Sequence, residues 1–300
     1  MIMRYDSLSQ HPIVFQKCSG LTVVLFEQLV NDITPAFLKA EEQRLSRPNR
    51  ERGIGAGHPC DLDPRDLILM TVIWLRLYPI HEVLAYLFGV SDSTVSRWIE
   101  RVLPLLEQAG RDRMRLPDPG RKRRRQLSDL LNEMPDLMVI VDSFEQRVQR
   151  PVDDDSDYSG KKKQHTLKSQ IAVDGNTGRI VDISDSVPGP TADIRLLEDS
   201  QLLTRLPNNI GVAGDLAYLN LAKLRAQGFA PRRKPRGQER PPEDVLYNRA
   251  FSQFRILIEQ TIGQLRRFQS ITATDRNHRC QHRSRLGAIA GLVNRLPRFA

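Results

Sequence analysis

The 300-residue sequence is poor in cysteine, has only 6% aromatic residues, and contains no long apolar run. Its three cysteines, Cys18, Cys60 and Cys280, are odd in number and far apart, which excludes a disulfide-stapled scaffold. Cys280 lies between His278 and His282, and Cys60 follows His58, but the paired two-and-two spacing of a structural zinc site is missing. Both sets read as loop residues. The longest apolar stretch, Leu67–Leu75, stops at Arg76, well short of the roughly 20 residues that span a bilayer. The N-terminal MIMRYDSLSQHP shows no basic-then-apolar leader, so a cytoplasmic location without a membrane partner is expected.

What the chain has in excess is positive charge. Lys and Arg exceed Asp and Glu to give a net charge of +9. Much of it sits in four runs: RKRRR (121–125), KKK (161–163), RRKPR (232–236) and the Arg-rich stretch 276–285. One such run is usually a solvated face, whereas four point to a polyanion, whose phosphates they would neutralise without reading sequence. With 40% hydrophobic and 27% charged residues the composition is that of a folded globular protein, and the length suits about two domains.

Residues 1–110 read as helical. Apolar positions recur at helical spacing in 21–45 and 66–78, and Asp63 followed by Pro64 is a helix start. In HEVLAYLFGVSDSTVSRWIERVLPLL (81–106) a short helix ends near Phe88, Gly89 turns the chain, and Ser91 can cap a second helix. That helix would present Ser93, Thr94, Ser96 and Arg97 outward while Val95, Ile99 and Val102 pack inward, the build of a helix-turn-helix. Residues 111–130, rich in proline and arginine, read as a basic linker able to follow a phosphate backbone.

From 131 to 300 strands appear. LMVIVD (137–142) and NIGVAGD (209–215) are apolar runs suited to buried strands. HTLKSQIAVD (165–174), GNTG and RIVDISDSV (179–187) form a predicted hairpin; 192–206 and about 242–268 are predicted helices. The second region is therefore a mixed α/β domain. Asp142 and Asp215 close the two apolar runs, placing carboxylates at predicted strand ends, and Glu259 sits on the last long helix. Three acids so delivered can converge on a pair of Mg²⁺ ions, a site for cutting a nucleic-acid phosphodiester; each acid alone could equally be a surface carboxylate. Arg255, Glu259 and Arg266 share one helix face, with Gly263 leaving room beside it. The two arginines suit phosphate contacts.

The blocks LFGVSDSTVSRWIERVLPLLE, YSGKKKQHTLK, GDLAY and NRAFSQFRILIEQTIGQLRRF follow in an order that resembles the insertion-sequence-five family of bacterial DDE transposases, relatives of the PIF/Harbinger transposases. The likeness covers about residues 60–295. It implies a ribonuclease-H-like catalytic core behind an N-terminal helical domain that carries the helix-turn-helix. It implies that Asp142, Asp215 and Glu259 are the catalytic, metal-binding acids. The expected cofactor is two Mg²⁺ ions, with Mn²⁺ as substitute, one activating the nucleophile and the other stabilising the leaving oxygen. Expected partners are double-stranded DNA, as terminal inverted repeats and as target, and further copies of the chain in a nucleoid-associated homo-oligomer. Lys161, Lys162 and Lys163 would clamp DNA near the metal edge.

The sequence departs from the family pattern beside the site. Ser143 and Phe144 stand where Gly and Thr are usual, Ala192 replaces a His before Asp193, Ala217 replaces a Gly, and Ser252 replaces a Tyr. Asp193 is a further carboxylate that competes for the second-ligand role, ranked behind Asp215. Two readings stay open: an active transposase, and a catalytically weakened remnant that only binds DNA.

Overall fold

The structure, a computed structural model, describes residues 2–46, 61–117, 138–150 and 156–297. Most of the basic linker, its RKRRR run, and the His58–Cys60 pair lie outside the described residues. The chain forms two units: Met1–Asp112 with Arg267–Ala273 and Ser284–Leu296, and Arg113–Arg266 with Thr274–Arg283 and Pro297–Ala300.

The described part of the first unit is helical: α1 (Tyr5–Leu8), α2 (Pro12–Ser19), α3 (Val23–Leu45), α4 (Pro64–Leu77), α5 (His81–Phe88) and α6 (Asp92–Arg111). Caps fix the helix starts: Thr22 accepts the Leu25 N–H at 3.3 Å, and Asp63 Oδ1 accepts the Asp66 N–H at 2.8 Å. The apolar run of α4 is buried all round, so it is the central helix of this unit and not a membrane segment. No single described helix is long and apolar enough to cross a membrane. Phe15 and Phe26 of α2 and α3 pack edge-on at 5.3 Å.

The expected helix-turn-helix is present. α5 ends at Gly89 in the left-handed conformation (φ 65°), and the Ser91 hydroxyl accepts the Thr94 N–H at 3.2 Å to start α6. The second helix runs further than its predicted end at 106, to Arg111. There Gly110 crosses Gly291 of the final helix, His282–Val293, so closely that a Cβ on Gly110 would lie 2.7 Å from the Gly287 carbonyl oxygen.

The second unit is built on a mixed sheet: β1 (Met138–Arg147), β2 (Tyr158–Ser159), β3 (Gln164–Asp174), β4 (Ile180–Ile183), β5 (Val187–Pro188), β6 (Gly211–Ala213) and β7 (Gly228–Phe229). The order is β2-β3-β1-β6-β7, with β4 and β5 also pairing β3. β4, β3 and β1 are antiparallel, while β1, β6 and β7 are parallel. Three antiparallel strands continued by two parallel ones are the ribonuclease-H-like arrangement. α7 (Asp193–Asp199), α8 (Leu202–Arg205) and α9 (Leu221–Leu224) join these parallel strands. Val139, Val141, Val212 and Tyr218 pack with Leu197 and Leu202 on one face; Met138 and Ala213 pack with Ala250 and Phe251 of α10 (Pro242–Leu265) on the other.

Three sequence expectations are corrected. Asp142 does not close its strand: β1 continues to Arg147 because β3 keeps pairing with it, Arg147 opposite Thr166. The predicted helix 192–206 is broken, with Gln201 at φ 54° between α7 and α8. The Arg-rich stretch 276–285 is not a free basic face. Arg279 pairs with the buried Asp157, Arg283 pairs with Asp185, and Arg285 is fully buried. His282, buried in this stretch, bonds Gln146 Oε1 at 2.8 Å through Nε2 and Ser186 at 2.6 Å through Nδ1, so neither nitrogen is left for a metal.

Candidate active site

The parallel register of β1 and β6 assembles the first two acids. Ile140 stands opposite Ala213. Two residues further on each chain come Asp142 and Asp215, so the two carboxylates leave the sheet at the same level. β6 stops there while β1 runs on, which opens the edge. Gly214 is required at this step, since a Cβ on it would lie 2.6 Å from the side chain of Tyr218. Asp215 then caps the short turn Leu216–Tyr218, its Oδ1 accepting the Ala217 N–H at 2.9 Å.

Asp142 is largely buried, with 19% of its side chain exposed. Its Oδ1 accepts the Ser143 N–H at 2.8 Å, and its Oδ2 accepts from Arg255 Nη2 at 3.2 Å. Burial pushes its carboxyl up to about 6; Arg255 opposes this, while the charges of Asp215 and Asp193 add to it. The same guanidinium lies 4.0 Å from Glu259, one turn along α10. Glu259 is 60% exposed, and the space beside Gly263 is open. Ile258, Ile262 and Leu265 are buried on the other side of this helix, as the apolar stripe predicted. Arg255 Nε is buried without a hydrogen-bond partner. Arg255 thus joins the first and third acids. Among the described residues no three acidic, His or Cys side chains close into a ligand set.

The opposite face of β1 carries a polar network that sequence reasoning missed. Ser143 Oγ donates to Asp193 Oδ1 at 2.5 Å, and Lys168 Nζ lies 3.1 Å from the same oxygen and 2.6 Å from the Thr191 carbonyl. Tyr218 donates to Gln170 Oε1 at 3.1 Å. Burial raises its phenol far above the usual range, and Asp193, Asp142 and Asp215 reinforce the effect. These groups link the flanks of both aspartates. Thr166, Lys168 and Gln170 alternate along β3, and all three are buried. The one available signal was Asp193 at a helix start.

The other expected residues lie elsewhere. Lys161, Lys162 and Lys163 are exposed in the turn before β3. Asp142 pairs with Ile171, and β3 begins at Gln164, so the lysine turn is about 24 Å along the strand from Asp142, not beside it. Arg266 is exposed at the end of α10. On α6, Ser93 and Arg97 are exposed and Thr94 and Ser96 half-buried. Arg97 folds back along the helix, with Nε on the Ser93 carbonyl at 3.0 Å.

Comparison with known proteins agrees with this layout. The family model "DDE superfamily endonuclease" matches residues 141–294, and "Helix-turn-helix of DDE superfamily endonuclease" matches residues 60–112. The chain is 25% identical over 283 residues, 93% of each chain, to the "Probable transposase for insertion sequence element IS702" of Microchaete diplosiphon. No solved structure matches.

Proposed function

The chain belongs to the DDE superfamily endonucleases, and on that footing we propose that it is an insertion-sequence transposase. It binds the terminal inverted repeats of its element through α5 and α6, cuts at the ends, and joins the freed 3′-hydroxyls to target DNA as a homo-oligomer that holds both ends. The observation that carries the catalytic reading is that Asp142 and Asp215 each follow the last paired residues of β1 and β6 by two, with the Asp142 carboxyl pushed up to about 6. A largely buried carboxylate beside a second, partly exposed one, compensated by a single arginine, calls for a cation. A relative named as an insertion-sequence transposase, matched along 93% of its length, supports the same reading.

The donors fit a hard cation, because they are oxygen-only and include a buried carboxylate short of positive charge. Asp142, Asp215 and Glu259 would hold Mg²⁺, with Mn²⁺ as substitute. Bound there, a pair of such ions supplies Lewis-acid stabilisation of an in-line displacement at phosphorus. Arg255 does the rest from the protein side. Its Nη2 keeps Asp142 oriented, and the same guanidinium reaches towards Glu259 one turn along α10. Ser143 and Tyr218, tied to Asp193 and Gln170, hold the backbone on which the two aspartates sit. Arg266 and the lysine turn would touch the duplex backbone further out. At about 24 Å, that turn is roughly seven base pairs from the cut.

The alternative is a remnant that binds DNA without cutting. The altered neighbours do not add to it. Ser143 has gained a bond to Asp193, the Ala217 N–H serves Asp215, and Phe144 is buried. Purified protein, terminal-repeat DNA and Mg²⁺ or Mn²⁺ separate the readings by product. Joined strands are expected; cut ends that never join would mean a plain nuclease, and binding without cutting would mean the remnant.

A further inference from the structure

The run RRKPR has no role in the site described above, and its surroundings give it one. We propose that the loop 230–241, between β7 and α10, is a second DNA-contact surface that grips the duplex backbone beside the cleavage edge without reading its sequence. It takes from the reading above only the identity of the polyanion.

Position comes first. β7 pairs in parallel with β6, Phe229 opposite Ala213, so its C-terminal end opens on the same edge as Asp142 and Asp215. Neighbouring strands are about 4.8 Å apart, which puts the root of the loop about 10 Å from the level of Asp142. The start of the loop is also anchored. The Arg232 N–H donates to Asn248 Oδ1 at 2.8 Å, and Asn248 Nδ2 returns a bond to the Arg232 carbonyl at 2.9 Å. The Arg232 guanidinium pairs with Asp244 at 3.0 Å and lies 4.4 Å over the Tyr247 ring. Pro231, Pro235 and Pro241 restrict the backbone on either side, so ordering the loop on a ligand costs little further entropy.

With Arg232 spent as the anchor, Arg233, Lys234, Arg236 and Arg240 are all exposed. None has an ion pair or hydrogen bond among the described residues. Only Glu239 opposes them within the loop. The 276–285 stretch is the contrast: Arg279, Arg283 and Arg285 there are turned to buried or paired positions. Residues 232–240 hold no aromatic and no aliphatic side chain besides proline. They lack the anchors of a protein interface and the rings on which single strands stack. Exposed, unpaired cations on an anchored loop without apolar anchors fit a duplex backbone.

The test uses the full chain in EDTA, so that binding is read without cutting. Affinity for a terminal-repeat duplex and for a random duplex is measured against salt for the natural protein and for Arg233→Gln/Lys234→Gln/Arg236→Gln/Arg240→Gln. Each phosphate contact contributes about 0.9 to the slope of log affinity against log salt, so the slope falls by about three to four on both duplexes. Arg233→Lys/Arg236→Lys/Arg240→Lys, which keeps the charge, keeps the slope. An unchanged slope in the quadruple variant overturns the proposal, as does a loss confined to the terminal repeat. A smaller oligomer with an unchanged slope also overturns it and gives the loop to a protein partner. A natural protein that never cuts DNA in Mg²⁺, yet shows the slope change, defeats the transposase reading and leaves the loop; cutting with an unchanged slope defeats the loop alone.

Discussion

Replacing Asp142 with asparagine is predicted to stabilise the metal-free protein at neutral pH. The carboxyl is held at about 6 in the folded chain against an ordinary 3.8, chiefly by burial. Between those values the native state keeps a proton that the unfolded chain has released, so stability falls as pH rises from about 4 to about 6 and is level beyond. The cost of ionising the carboxyl in place, set by that difference, is about 3 kcal/mol. Arg255 attraction is already contained in that figure, and asparagine can still accept from Nη2, so the loss on that side is at most about 1 kcal/mol. Asp142→Asn should therefore be about 1–3 kcal/mol more stable than the natural chain at pH 7.5, and equal to it near pH 4. Thermal unfolding in EDTA across that range reads this as a rise in melting temperature of a few degrees. Mg²⁺ should then narrow the gap: at tenfold its Kd it adds about 1.4 kcal/mol to the natural chain and little to the variant. A variant less stable than the natural chain at pH 7.5 in EDTA would refute the picture of a buried carboxylate lacking cation.

Other consequences follow from particular contacts. Gly291→Val must push apart α6 and the final helix at Gly110, costing about 2–3 kcal/mol, whereas Gly263→Ala, in open space within α10, should add about 0.5–1 kcal/mol; urea titrations compare the two. Asp193→Asn leaves Lys168 Nζ buried without its charge partner, at a cost of about 3 kcal/mol; if the pair matters, adding Lys168→Met recovers most of this, and plain additivity of the two losses would count against the network. Arg97→Ala should weaken terminal-repeat binding about 10- to 100-fold in filter-binding assays while barely altering random-DNA binding, and equal loss on both would remove α6 from the reading role.

Local chemistry made much of the architecture legible. Asp63–Pro64, Gly89 and Ser91 announced helix boundaries that the structure keeps, because capping is decided within four residues. The apolar stripe of α10 likewise told which side faces the sheet. What failed was long-range. Nothing near Asp142 in the sequence reveals that β3 holds β1 for five more residues, or that β6 stops after Ala213. Nothing local in the β3 sequence shows that Lys168 and Gln170 are buried; their partners, Asp193 and Tyr218, come from distant segments. The lysine turn looked close to the acids because its block is close to them in sequence, whereas an extended strand separates them in space.

Cleavage of terminal-repeat DNA by the natural chain and by Asp142→Asn, Asp215→Asn and Glu259→Gln, in Mg²⁺ and in Mn²⁺, tests the catalytic assignment most directly. End cleavage by the natural chain that falls at least about 1000-fold in all three variants, with repeat binding intact, is the predicted result. Cleavage that survives in any of the three, or that moves with Asp193→Asn instead of Asp215→Asn, would contradict it.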